Sequence, residues 1–213
     1  MGPDEFDLCN ADELAEILAA GDVASMLYFA DHLDESPFQD RIEPLVRTCQ
    51  NLGVAAVVAD HSRIAGRVRA DGLQLGADRN ALQQAIEKFH PTMMIGAGNI
   101  KTRHAALTLG EAGPDYLMFG KPGSDTRAEP HPKNVALGEW WSSLVEIPCI
   151  VLGGTRSESA ISVARCGAEF VALRKAVFSP DPGDTVAPDA AGRVRQINQL
   201  LNQHAPPLED VSY

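Results

Sequence analysis

The chain has 213 residues, a hydrophobic fraction of 45% and a charged fraction of 22%, which reads as one soluble globular domain with a sizeable core. A net charge of −11 argues against nucleic acid or an anionic membrane as the main partner. No apolar run approaches the roughly 20 residues of a membrane span, the acidic N-terminus does not resemble a signal peptide, and a cytoplasmic protein is expected.

Residues 1–10 show no clear period and read as a tail or a ragged strand, with a second tail over 205–213. Ala11 to Ala20 has helical spacing, with Leu14, Ile17 and Leu18 on one face, and Gly21 ends it. Val23 to Ala30 reads as a strand, and Pro37 leads into a helix to about Leu52. Val54 to Asp78 then holds an apolar run, a short helix around Ile64, Ala65 and Val68, and a second run at Gly72–Leu75. That spacing predicts a βαβ unit with parallel pairing. Asp60 and Asp78 fall just past the carboxyl ends of its strands, where they either hold a magnesium ion or cap the next helices.

The alternation continues. Helices are predicted over Asn80–Phe89, Thr102–Ala112, Val135–Val145, Ser157–Cys166 and Gly192–His204. Strands are predicted at Thr92–Ile95, Tyr116–Phe119, Cys149–Leu152 and Phe170–Leu173, with a Pro-rich loop from Ser179 to Pro188. Strict alternation without a linker implies a single α/β domain, a TIM (β/α)8 barrel whose first strand is weak or missing, with an open doubly wound sheet as runner-up. Of Trp140 and Trp141, adjacent on a helix, at most one faces the core. The cysteines (Cys9, Cys49, Cys149, Cys166) lack CxxC spacing and read as reduced thiols, two of them inside apolar stretches.

Cations and glycines gather in the loops after the later strands. Lys101, Arg103, Lys121, Arg127, Arg156, Arg174 and Lys175 lie there beside Gly96, Gly98, Gly120, Gly123, Gly153 and Gly154. Glycine lets backbone N–H groups approach an oxyanion. Gly153-Gly154 with Arg174-Lys175 therefore reads as a phosphate site on the last two loops.

The segments ADGLQLGAD (70–78), GPDYLMFGKPGSDTR (113–127), IPCIVLGGT (147–155) and CGAEFVALRKAVF (166–178) resemble the thiamine phosphate synthase and thiazole tautomerase superfamily, from about residue 12 to 201. The resemblance implies a TIM barrel that joins hydroxymethylpyrimidine diphosphate to a thiazole phosphate in thiamine biosynthesis. It implies Mg2+ at Asp60 and Asp78, catalysis by Thr126 and Arg127, substrate contacts from Gly98, Asn99 and Lys121, and phosphate contacts from Gly153 and Gly154.

Several positions depart from the family pattern. The Gln-x-Arg-x-Lys run ending the second strand is Leu27, Phe29 and Asp31; the Asn-Asp pair after the third is Ala59-Asp60. The second metal-binding carboxylate position is Arg79, with Asp78 one residue early; the expected serines are Gly98 and Lys175, and Thr-Lys is Thr126-Arg127. Removing cations and a carboxylate from a leaving-group site lowers transition-state stabilisation. A synthase-like phosphate-binding barrel is expected, with three readings open. They are synthesis with substitute charges from Lys121, Arg127 and Arg79, a tautomerase-like proton transfer using His61 or His104, and a non-catalytic binding or regulatory barrel, dimeric through its weak first-strand edge. The expected ligand is a small phosphorylated heterocycle.

Overall fold

The computed structural model of the chain describes residues 1–2, 5, 9–179 and 189–205. Its elements are α1 (Ala11–Leu18), β1 (Ser25–Tyr28), α2 (Glu35–Asn51), β2 (Ala55–Ala59), α3 (Ser62–Val68), β3 (Gly72–Leu75), α4 (Arg79–Phe89) and β4 (Met94–Ala97). There follow α5 (Arg103–Gly110), β5 (Tyr116–Phe119), α6 (Pro132–Ser142), β6 (Cys149–Leu152), α7 (Ser159–Ala164), β7 (Phe170–Ala172), α8 (Lys175–Phe178) and α9 (Ala190–His204).

All seven strands pair in parallel and in chain order, β1 to β7. A sheet wound one way without reversing has no switch point, so the doubly wound alternative falls away. Seven parallel strands make a curled half-barrel that gathers every loop following a strand at one mouth.

Among the described residues no strand precedes β1, and β7 does not pair with it. Residues expected to be a tail occupy this gap instead. Met1, Glu5 and Cys9 are buried, Phe29 N donates to Met1 O at 3.2 Å, and Arg174 reaches Glu5 Oε1 at 3.1 Å. Outside the strands, α9 packs on α1 and α7, and Asp22 N donates to Asn198 Oδ1 at 2.9 Å. Residues 180–188 of the Pro-rich loop and 206–213 of the expected second tail lie outside the described residues.

Local chemistry sets the element ends. Asn10 Oδ1 accepts from the amides of Asp12 and Glu13 while Glu13 Oε2 accepts from Asn10 N, a complete capping box on α1. α6 begins three residues earlier than its apolar spacing predicts. His131 Nδ1 accepts from Lys133 N, and Pro132 takes the first helical position, where its missing N–H costs nothing. At the mouth-distal end, three carboxylates repeat one device. Asp71 accepts from Ala56 N (2.8 Å), Asp115 from Ile95 N (2.6 Å) and Glu169 from Cys149 N (2.7 Å). Each precedes its own strand and holds the amide of the strand before it, which keeps register fixed beneath the mouth.

The core is the strands' apolar residues and the inward stripes of the helices, among them Leu14, Phe38, Ile42, Leu82 and Val163. Each such side chain contributes about 1.5–3 kcal/mol on burial. Trp141 is buried, with Nε1 donating to Ile147 O at 2.7 Å. Trp140 is half-buried and faces the Arg103 guanidinium at 5.1 Å. One tryptophan of the pair enters the core, as their spacing predicts.

Candidate functional site

Two clefts open at the carboxyl mouth. The inner one, about 520 Å³, lies over the sheet and collects residues from successive strand ends. These are Phe29 and Asp31 after β1, Asp60 and His61 after β2, Gln74 on β3, Gly98 and Asn99 after β4, Lys121 and Ser124 after β5, and Lys175 at the start of α8. The outer cleft, about 350 Å³, lies between the loops after β4 and β5 and the start of α6. Lys121 and Ser124 belong to both.

The floor of the inner cleft is polar in an unusual way. Gln74 is 2% exposed; its Nε2 donates to Leu75 O at 3.3 Å, and its Oε1 has no partner. Asn99, at φ 59°, likewise has a buried Oδ1 without a partner. A buried acceptor left unsatisfied costs about 1–3 kcal/mol, and both residues belong to the walls of this cleft. Gly98 makes this arrangement fit, because a Cβ there would stand 2.4 Å from Gln74 Nε2. Gln74 is the site residue that sequence reasoning passed over. Its only sequence signal is one amide in an otherwise apolar strand.

Asp60 and Asp78 stand in different local settings. Asp60, at φ 60°, lines the inner cleft and accepts from Gly76 N at 3.1 Å. Asp78 caps α4, its Oδ1 accepting from Asn80 N (2.9 Å) and Ala81 N (3.1 Å), which is the capping alternative. Arg79, at the family's second metal position, pairs with Glu111 at 3.6 Å, not with either cleft. Among the described residues no group of three metal-binding side chains comes together.

The glycine loop is closed within the protein. Gly153 N donates to Ala172 O (2.9 Å), Thr155 N to Arg127 O (2.8 Å) and Gly154 N to Ser159 Oγ (2.9 Å), so the amides expected to cradle phosphate already have acceptors. Ala128 O lies 2.1 Å from where a Gly154 Cβ would stand, so the loop after β5 rests directly on this glycine. Arg174 is likewise committed. Its Nε donates to Asp125 Oδ1 at 2.9 Å and its Nη1 to Glu5 Oε1 at 3.1 Å, with both carboxylates almost fully buried. Lys175 N donates to Asp125 Oδ2 at 2.8 Å, while its side chain lines the inner cleft.

Thr126 and Arg127 line the outer cleft with Gly153, and Gly98, Asn99, Lys121 and Lys175 line the inner one. The two groups meet at Lys121 and Ser124 on one rim. His61 lines the inner cleft, its ring 5.5 Å from that of Phe38; His104 lines neither.

The likeness to known proteins agrees with this geometry. The family model described as Thiamine monophosphate synthase matches residues 4–177. Thiamine-phosphate synthase of Erythrobacter litoralis is 33% identical over 164 residues, 76% of this chain and 77% of that protein. That of Hyphomonas neptunium is 32% identical over 197 residues, 90% of this chain and 86% of that protein. The solved thiamine phosphate pyrophosphorylase of Pyrococcus furiosus superposes with a TM-score of 0.76 at 19% identity, covering 96% of this chain and 95% of that one, a likeness of fold. By the extent of the family match and the identity to these relatives, the chain belongs to the thiamine monophosphate synthase family.

Proposed function

We propose that this barrel seats a phosphorylated heterocycle in its inner cleft, and that it joins hydroxymethylpyrimidine diphosphate to thiazole phosphate far more slowly than a synthase with the family's full set of cations. One observation carries the reading: the end of β1 presents Phe29 and Asp31 to the cleft, where the family resemblance calls for cations. Diphosphate departure builds negative charge on the leaving group. Asp31 and Asp60 oppose that charge, and removal of a single preorganised donor already costs about 10²–10³ in rate.

Binding survives this loss because it draws on other groups. Lys121 and Lys175 line the inner cleft and attract the phosphoryl end. Thiazole phosphate alone at about 100 times Kd then stabilises the fold by about 2.7 kcal/mol, read as a rise of several degrees in Tm. Placing cations at the end of β1, as Phe29→Arg with Asp31→Lys, raises thiamine phosphate formation at least tenfold over the parent chain. An unchanged Tm with thiazole phosphate contradicts the binding half of the reading. An unchanged rate in the folded double variant contradicts the other half.

His61 favours a second reading, a proton transfer on the bound heterocycle, since it is the imidazole in this cleft. Exchange of a carbon-bound ligand proton in deuterated water, lost in His61→Ala, is the outcome that reading requires.

A further inference from the structure

Among the described residues, the large apolar side chains left exposed are Leu52, Met94, Leu107, Leu144 and Phe170. Two of them, Leu107 and Leu144, belong to one pair of helices. α5 and α6 follow the paired strands β4 and β5 and run from the mouth toward the far end of the sheet. They approach so closely that a Cβ on Gly110 would stand 2.7 Å from the Trp141 ring. Leu107 lies one turn after Arg103 on α5, and the Arg103 guanidinium sits over the Trp140 ring of α6 at 5.1 Å. Leu144 lies one turn after Trp140, where its N–H donates to Trp141 O at 3.0 Å and carries the turn past Ser142. Leu107 is 47% exposed and Leu144 69%, beside the half-buried Trp140.

The charges around this face are ordered. Arg103 and Lys133 stand at the starts of α5 and α6, Glu111 and Glu146 at or beyond their ends, and all four are exposed. The helix dipoles run in the same sense, positive at the start and negative at the end. Leu107 is midway between Arg103 and Glu111, four residues from each, and Glu111 N donates to Leu107 O at 2.9 Å, which keeps Glu111 on the helical path. The stripe is therefore basic, apolar, acidic, and turned end for end it is its own complement. A two-fold axis at Leu107 sets each Arg103 against the Glu111 of the other copy and brings two leucines together at the centre, the isologous arrangement of most homodimers. The existing partner of Glu111 is Arg79, in an exposed pair at 3.6 Å, and such pairs hold little in water. The edge of β1 offers less to a second copy. Leu27 O accepts from Met1 N at 2.6 Å and Phe29 N donates to Met1 O at 3.2 Å, so that edge is already engaged.

We propose that the α5–α6 face is a self-association surface whose occupant is a second copy of this chain, packed antiparallel about Leu107 with Trp140 and Leu144 flanking the centre. The two mouths then point in opposite directions.

Sedimentation velocity of the whole chain over a micromolar concentration series tests the surface, with circular dichroism to show that each variant is folded. The parent chain runs as a dimer. Leu107→Asp raises the dissociation constant at least tenfold, whereas Leu52→Asp, at an exposed leucine after α2, leaves it unchanged. Arg103→Glu and Glu111→Arg each weaken association at least tenfold, since each sets like charges opposite one another. An equimolar mixture of those two variants restores the dimer, because both contacts across the axis again join opposite charges. A parent chain that stays monomeric throughout the series overturns the surface, and so does a dimer that survives folded Leu107→Asp. Failure of the two charge variants to associate when mixed overturns the antiparallel pairing.

Discussion

Arg174 Nε donates to Asp125 Oδ1 at 2.9 Å across 49 residues of sequence, and this pair ties the last strand to the loop after β5. Glu5 completes a buried triad from the other end of the chain. Removing one member of a buried ion pair leaves an uncompensated charge, a loss of about 3–5 kcal/mol. Arg174→Ala is therefore expected to lower Tm sharply, more than Arg79→Ala, whose partner Glu111 is exposed. Chemical denaturation of the two variants checks the order, and equal losses contradict it.

Gln74 and Gly98 are coupled by space. A methyl at position 98 stands 2.4 Å from Gln74 Nε2, and overpacking of this kind costs about 1–3 kcal/mol. Gly98→Ala is destabilising in the parent chain and nearly neutral in Gln74→Ala. A double-mutant cycle measures this, with a coupling of at least about 0.5 kcal/mol expected; additive losses contradict the contact.

Gly154 lies beneath the backbone of Arg127 and Ala128. Gly154→Ala forces the loop off and breaks the bond from Thr155 N to Arg127 O. Limited proteolysis then cuts the 120–131 loop faster than in the parent chain. An unchanged rate of cutting places no load on this contact.

All four cysteines are buried and free. Burial pushes the Cys9 thiol up to about 11 and raises Cys49, Cys149 and Cys166 as well. Thiolate is the reactive form, so a thiol reagent at pH 8 labels none in the native protein and all four after unfolding. The linkage runs the same way. A folded-state value above the unfolded one means that stability is fully present below about pH 8.5. It declines as pH rises through the folded values, near 11 for Cys9. Denaturant midpoints at pH 7 and pH 10 test the sign.

Much of this was legible from residue order. Strict alternation and the absence of a linker pointed to the barrel, the Gly and Lys clusters marked the mouth, and the featureless residues 1–10 lie where, among the described residues, no strand precedes β1. What stayed hidden depended on distant partners. Asp78 sits at the same sequence position whether or not it caps a helix, and its bonds to the amides of Asn80 and Ala81 show only in the fold. Gly153-Gly154 reads as an anion loop until Ser159 and Arg127 are seen holding the neighbouring amides. Arg174 lines the inner cleft, and its tie to Glu5, 169 residues away, shows only in the fold. The register carboxylates Asp71, Asp115 and Glu169 lie inside the segments that carry the family resemblance, yet their use at the far end of the sheet is visible only once the strands are paired.

The account turns on the end of β1, where Phe29 and Asp31 stand at the cleft. Its most direct test is the single-turnover rate of thiamine phosphate formation from hydroxymethylpyrimidine diphosphate, thiazole phosphate and magnesium, measured beside the Hyphomonas neptunium relative. With two donors absent, a rate at least about 10³ below that of the relative is predicted. A rate within tenfold of it contradicts the account.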